Sequence, residues 1–188
     1  MTEIEGREER PRPYPEGTQT HEVIIYGHPT LRVKAAPVTE FDARLKQFAE
    51  EMFATMDDYD GVGLAAVQVD RAIRLLVVGV PREEGEYLYL AVTNPEILDS
   101  SGSWDYEEGC LSIPDVRETV TRPETIRLRY QDLDGHSQEI IATGLLGRVL
   151  QHEIDHLNGV LFVDHLSPVR RALLSGKLRR LEREQKAS

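Results

Sequence analysis

"QHEIDHLNGVLF", residues 151–162, carries two histidines four apart, His152 and His156, with Glu153 directly after the first. On an α-helix, positions i and i+4 share one face. That spacing offers two imidazoles to one metal ion and sets a carboxylate beside it as a base. A catalytic tetrahedral metal takes three protein ligands and keeps its fourth position for water. Upstream, Leu145, Val149, His152 and His156 follow one another at steps of four, three and four. Leu145 and Val149 are apolar, so this face is expected to be buried. Buried histidines need partners, and a metal would supply them. A helix with two surface histidines would not need the apolar half of this stripe. The pattern predicts a helix from Leu145 to Asn158, with Gly159 as its stop.

The third ligand is open to several readings. The pattern H-E-x-x-H-x-x-G-x-x-H is met at Gly159, but Phe162 stands where its third histidine would be. A glutamate on a following helix would have to be Glu182 or Glu184, both in a highly charged tail. His165 lies just beyond the helix stop. Cys110 lies in a glycine-containing turn between strand-like segments, although a lone cysteine is more often a small buried hydrophobe. A Cys-His-His set would leave a divalent ion with a net charge of +1. Water there would be acidified less by charge alone, and more of the proton traffic would fall to Glu153. Mixed sulfur and nitrogen donors suit Zn, Fe(II), Co or Ni.

Strands precede the motif helix and do not alternate with helices, which predicts an α+β fold. Antiparallel or mixed sheets are expected around the central H-E-x-x-H helix, with a further helix at the C-terminus. "IRLLVVGV" (73–80) and "YLYLAVTN" (87–94) read as strands. "TIRLRYQDLDGHSQEIIAT" (125–143) reads as a hairpin turning at Asp134-Gly135. "EVIIYG" (22–27) is a short strand or an extended entry. Thr39 to Asp57 reads as a helix, with Thr39 and Asp42 as a capping-box variant and Phe41, Leu45, Phe48, Met52 and Met56 at helical spacing. Ser167-Pro168 begins the last helix, with Ser as N-cap and Pro in the first turn.

The 188 residues suit one domain with a sizeable core. Three segments are expected: a mobile arm (1–20) rich in proline and charge, a catalytic body (21–167) and a basic C-terminal helix (168–188). The net charge of −11 speaks against a dedicated nucleic-acid binder or an anionic membrane surface. The single cysteine cannot form an intramolecular disulfide, which favours a reducing cytoplasm. No apolar run reaches the length of a membrane span, and the first twenty residues lack the apolar stretch of a signal peptide. They are also too acidic for a typical mitochondrial transit peptide. A monomer is expected. The charge is unevenly spread: residues 168–188 carry seven Lys/Arg against Glu182 and Glu184, or +5, leaving −16 on the other 167 residues.

"GVGLAAVQ" (61–68), "EGCLS" (108–112) and "QHEIDH" (151–156) together resemble the three motifs of the peptide deformylase family, in the same order. The similarity runs from about residue 22 to about 175. It implies a hydrolase of protein biosynthesis that removes the N-formyl group from formylmethionine at the start of nascent polypeptides, releasing formate. By position, Cys110, His152 and His156 would bind the metal, with Fe(II) the usual ion and Zn, Ni or Co able to replace it. Glu153 would be the general acid/base. Gln68 and the backbone N–H of Leu111 would stabilise the oxyanion, as formamide hydrolysis requires. Gly61 and Gly63 would let the chain pass close to the metal and the peptide. Val62, Gly63, Glu108, Arg117, Leu145 and Val149 would contact substrate. Arg148 stands where the family commonly has an apolar residue; its stem would line the pocket and its head reach solvent. The emerging nascent chain also suggests the ribosome as a partner for the basic C-terminal helix. Competing readings are another zinc-dependent H-E-x-x-H peptidase, and a non-catalytic module with a structural metal, which would need four protein ligands.

Overall fold

The computed structural model describes residues 12–82 and 85–187. In chain order the elements are α1 (Ala43–Asp58), β1 (Gly63–Ala65), β2 (Leu75–Pro81), β3 (Tyr87–Ser101), β4 (Trp104–Cys110), β5 (Ile113–Arg122), β6 (Thr125–Gln131), β7 (Ser137–Thr143), α2 (Gly144–Leu157) and α3 (Pro168–Ala187). Five strands form an antiparallel sheet in the order β1-β2-β3-β6-β7, and β4 pairs with β5 in a separate two-stranded sheet. The fold is α+β, as expected. Its one parallel pairing among the described residues is an isolated bridge between Ala36 and Ile73.

The larger sheet is covered on both faces, and β2 shows how. Its side chains alternate. Leu76, Val78 and Val80 pack with Val149, Leu150, Ile154 and Leu157 of α2. Leu75 and Val77 pack with Leu45, Ala49, Met52 and Met56 of α1. A strand buried on both sides reads in sequence as a continuous apolar run, which is why "LLVV" has no alternation. A third core joins the β4–β5 sheet to the C-terminus: Ile113, Val116 and Val120 meet Leu161, Phe162, Leu178 and Leu181.

Several boundaries differ from expectation. Helix α1 starts at Ala43, because Asp42 is extended and its Oδ1 accepts the N–H groups of Arg44 and Leu45 (3.0 and 3.1 Å). Thr39 is therefore outside the helix, and no capping box forms there. Strand β3 runs past Asn94 to Ser101 through a bulge. Asn94 has φ +49°, and its Nδ2 donates to Val38 O and Gln131 Oε1. The "EVIIYG" segment is an extended entry without strand pairing. Its Ile24 N–H donates to Gln68 O and its Tyr26 N–H to Ser112 O. The β6–β7 hairpin turns at Asp134-Gly135, with Gly135 at φ +81°. Ser167 caps α3 through its Oγ, which accepts the Arg170 N–H at 3.3 Å.

The terminal segments are joined to the body. Residues 1–11 of the expected arm lie outside the described residues. Beyond them Tyr14 packs against the α1 core and donates its hydroxyl to Asp57 Oδ2 at 2.8 Å. Helix α3 is likewise tied in, through Leu178, Leu181 and a bond from Ile25 N–H to Gln185 Oε1. No helix among the described residues is long and apolar enough to cross a membrane.

The end of α2 depends on one glycine. Asn158 is the C-cap and Gly159 follows at φ +73°, where a Cβ would stand 2.7 Å from the Arg32 carbonyl oxygen. Gly159→Ala therefore meets both left-handed strain and a backbone clash, and should destabilise the fold by about 1–3 kcal/mol. Thermal unfolding followed by circular dichroism should show a fall in Tm of several degrees; an unchanged Tm would remove this constraint.

Candidate metal centre and active site

Helix α2 and the β4–β5 hairpin meet at the site. The α2 spacing carries His152, Glu153 and His156 on the face turned to the sheets, where they are 8%, 4% and 1% exposed. Glu108 and Cys110 are two apart on β4 and so project from the same side of the strand. The ligating atoms of Cys110, His152 and His156 lie within 4.8 Å of one another, with Cys110 Sγ 3.2 Å from His156 Nε2. His165, the other candidate third ligand, is engaged elsewhere: its Nε2 contacts Asp155 Oδ2 at 2.7 Å. Cys110 is therefore the candidate that the geometry groups with the two histidines, and Glu182 and Glu184 lie along α3.

The donor chemistry fits a single divalent ion with one thiolate and two imidazoles. His152 meets Glu108 Oε2 through Nδ1 at 2.9 Å, so Nε2 is the nitrogen it offers. His156 Nδ1 is buried with no hydrogen-bond partner, and burial holds this imidazole well below its ordinary pKa, with His152 adding to the effect. A neutral ring is what ligation needs.

Glu108 is the hub behind the ligands. It was expected to face substrate. It borders the cleft, but its carboxylate is taken by two guanidinium groups and an imidazole. Arg122 binds it in a fork (Nε to Oε1 2.6 Å, Nη2 to Oε2 3.0 Å), Arg148 Nη1 reaches Oε1 at 2.9 Å, and His152 takes Oε2. Burial alone would raise its pKa; the bonds to His152 and Arg122 overturn this and hold the carboxyl well below the usual range. Arg122 also donates Nη1 to Asp155 Oδ2 at 2.7 Å. Arg148 does not send its head to solvent. It is 3% exposed, and also donates to Val120 O and Trp104 O.

Glu153, by contrast, forms no ion pair among the described residues. Its Oε2 is buried and makes no hydrogen bond. Burial pushes this carboxyl up to about 7, while His152 pulls the other way. A carboxyl near neutrality can both accept and return a proton. Gly63 makes room for it, since a Cβ there would stand 2.6 Å from Glu153 Oε1 and 2.6 Å from Val149 Cγ1.

Gln68 is 1% exposed, and its two amide ends are fixed separately. Oε1 accepts the Ala65 N–H at 2.8 Å, so the NH₂ end points to Ser112 Oγ (3.2 Å) and Cys110 Sγ (3.6 Å). Leu111 lies in the two-residue turn between β4 and β5, next to Cys110.

A cleft of about 750 Å³ joins these groups. It is lined by Gln68, Cys110, Leu111, His152 and Glu153, and by the six residues expected to contact substrate: Val62, Gly63, Glu108, Arg117, Leu145 and Val149. Val62 is 40% exposed and Arg117 lies at the open rim, 4.0 Å from Glu107. His156 joins the constellation through Cys110. The sequence reading passed over Arg122, Asp155, Ser112 and Tyr106. The i, i+2 relation of Glu108 and Cys110 was a readable sign that Glu108 faces the metal side; Arg122 and Asp155 gave no comparable sign.

A five-stranded sheet flanked by helices, with a Cys-His-His donor set beside an unpaired buried glutamate, defines a metal-dependent hydrolase of the H-E-x-x-H type. Residues 20–172 match the family model described as polypeptide deformylase. The chain is 48% identical to the peptide deformylase of Wolinella succinogenes, over 86% of this chain and 96% of that protein. The crystal structure of a peptide deformylase from Legionella pneumophila superposes with a TM-score of 0.80 at 41% identity, covering 90% of this chain and 99% of that one. A Met-Ala-Ser-bound class I type b peptide deformylase from Acinetobacter baumannii superposes with a TM-score of 0.75 at 38% identity, covering 79% and 99%. The chain belongs to the polypeptide deformylase family. It is a metal-dependent hydrolase that removes the formyl group from N-terminal methionine. The other H-E-x-x-H peptidase reading and the structural-metal reading are not favoured.

The Glu108 hub generates a measurable consequence. Glu108→Gln keeps the shape but loses the charge that orients His152. Metal affinity should fall by roughly 10–100-fold, read as metal retained per chain across a graded chelator series. Retention equal to the parent's would show that His152 is held without Glu108.

Proposed function

We propose that Cys110, His152 and His156 hold one divalent ion, with Fe(II) the native one, and that Glu153, Gln68 and Leu111 carry out deformylation around it. The observation that carries this assignment of roles is Glu153: buried, without a hydrogen bond on Oε2, raised to about 7, and lining the cleft beside His152 and Cys110. When bound, the ion supplies Lewis acidity toward the formyl oxygen and lowers the pKa of water.

The rest is done by the chain. The formyl-peptide enters along the cleft rim, and its methionine side chain lies against Leu145, Val149 and Val62. A Met-Ala-Ser-bound structure of the Acinetobacter relative supports a peptide with methionine first as the kind of ligand. Gln68 donates from its fixed NH₂ end to the oxygen on which negative charge develops, and the backbone N–H of Leu111 donates from the turn. Glu153 takes a proton from the attacking water and passes it to the departing nitrogen, leaving formate and a free amino terminus. Gly63 allows the carboxylate and the substrate backbone to occupy neighbouring space. Arg117 reaches the peptide from the rim.

Formate release from formyl-Met-Ala-Ser by the metal-loaded chain, with no cleavage of the unformylated peptide, tests the reaction. Within that assay Glu153→Ala should keep its metal and lose nearly all turnover, by at least about a hundredfold. A metal-loaded variant with near-normal turnover would remove Glu153 from the mechanism.

The cytoplasm suits a free thiol that must remain a ligand, and we infer that the enzyme acts there as a monomer on nascent chains. Ribosome contact through α3 belongs to the same reading. Arg179, Arg183 and Lys186 are exposed on that helix, while the acidic body is repelled by RNA phosphate. Deleting α3 would also strip Leu178 and Leu181 from the third core, so charge reversal is the cleaner probe. Reversing Arg179, Arg183 and Lys186 to Glu should abolish co-sedimentation with ribosomes at low salt and leave hydrolysis of a short formyl-Met peptide within about twofold. Undiminished co-sedimentation would make α3 a solvated helix only.

A further inference from the structure

Arg148 is a buried cation at the edge of the cleft, and the mechanism above gives it no task. Its guanidinium is buried, and its hydrogen-bond partners among the described residues all lie on the β4–β5 hairpin: Glu108 Oε1, Val120 O and Trp104 O. Its Cζ also stands 5.1 Å from the Trp104 ring centroid and 5.9 Å from that of Tyr106. The two rings lie 4.7 Å apart, tilted by 46°. Trp104, Tyr106, Glu108 and Cys110 alternate along β4, so they share the side that faces α2. Arg148 sits one helical turn before His152, as Tyr106 sits two alternations before Cys110. Tyr106 is 40% exposed and borders the cleft together with Arg148 and Val149.

We propose that Arg148 is a specificity-positioning residue: it clamps the Tyr106 ring as a fixed outer wall of the first-side-chain pocket, so that the pocket takes an unbranched, polarisable side chain and refuses an aromatic one. This deepens the reading of the cleft as a formyl-methionyl peptide site and rests on it. An exposed aromatic wall without a clamp would swing outward and admit larger groups. The guanidinium prevents this by lying against the ring pair while its Nη1 and Nη2 donors hold two carbonyls and a carboxylate of the same hairpin. A thioether gains directly from a fixed aromatic wall. Neutralising Glu108 does not need Arg148, because the Arg122 fork already does so.

The test uses the full-length, metal-loaded chain and compares kcat/KM for formyl-Met-Ala-Ser and formyl-Phe-Ala-Ser in the parent, Arg148→Met, Arg148→Lys, Tyr106→Leu and the Arg148→Met/Tyr106→Leu double variant. Calorimetric Kd values for Met-Ala-Ser and Phe-Ala-Ser are measured alongside, with metal content. Each single variant should lower the Met-to-Phe preference by about tenfold, through a lower KM for the phenylalanine peptide, and the tripeptide Kd ratio should move in parallel. The double variant should fall no further than the singles, because both substitutions remove one contact. Arg148→Lys keeps the charge beside Glu108 but cannot stack as a plane or reach three acceptors, so it should behave like Arg148→Met; it also carries the test if Arg148→Met loses metal. Parent-like selectivity in Arg148→Lys, or additive losses in the double variant, would overturn the clamp. A parent that releases no formate would instead sink the functional reading, while the tripeptide Kd ratios would still judge Arg148.

Discussion

The Glu108 carboxylate is the contact on which the site's geometry depends. The candidate metal donors come from two elements far apart in sequence: Cys110 from the β4–β5 hairpin, His152 and His156 from α2. Only a fixed docking of hairpin on helix brings the three atoms within 4.8 Å. Glu108 stands two residues before Cys110 and binds His152 directly, so one carboxylate ties the strand of one ligand to the ring of another. Arg122 and Asp155 extend the tie from β5 to α2, and Arg148 does so from α2 to both strands. Buried ion pairs give little net stability, since desolvation offsets most of their attraction. They do penalise every arrangement in which a partner is lost. Here that penalty falls on any shift of the hairpin along the helix.

The apolar cores hold the rest of the frame. The sheet is fixed between α1 and α2 by the two faces of β2, so α2 is anchored along one side by Leu150, Ile154 and Leu157 while its histidine face remains available to the hairpin. The third core closes the opposite side of the hairpin through Ile113, Val116 and Val120 against Phe162, Leu178 and Leu181. Helix α3 is therefore a structural part of the body as well as a carrier of basic charge. The extended entry segment contributes two backbone bonds, one to Gln68 O and one to Ser112 O. These reach the buried Gln68 and the turn after Cys110, so the extended entry steadies two motifs at once.

What was legible in the sequence follows from the range of the interactions. The helix of His152 and His156, its glycine stop, the Asp134-Gly135 hairpin and the Ser167 cap are local, and local rules found them. Asp42 was misplaced by a few residues because Thr39 offers the same capping chemistry. The β3 extension was hidden because Asn94-Pro95 looks like a strand end, whereas the bulge is stabilised by Val38 and Gln131, which are distant in sequence. Cys110 could not be separated from His165 by spacing alone; His165 is removed from contention by Asp155, a contact no spacing rule predicts. The polar hub escaped for the same reason. Arg122 is fourteen residues from Glu108, and Arg148 forty, on a different element. Its long stem suggested a solvated head, but a carboxylate, two carbonyls and two aromatic rings replace that solvent.

The two buried glutamates show how one fold holds one carboxylate ionised and leaves another near neutrality. Glu108 and Glu153 are 5% and 4% exposed, so desolvation acts on both. Glu108 is surrounded by Arg122, Arg148 and His152, and stays ionised far below neutrality. Glu153 has no such donors, and burial leaves it near 7. The contrast originates in backbone space. Beside Glu153 the chain passes as Gly63, and a Cβ at that point would strike both its carboxylate and Val149. The glycine lets the carboxyl lie against a bare stretch of backbone, where Arg122 acts on it only from a distance and without a hydrogen bond. Adding a cation there would restore the ordinary carboxylate range and remove the proton affinity that general acid/base work requires. The distribution of arginines around the cleft, two on Glu108 and none on Glu153, is thus a division of labour written in charge placement.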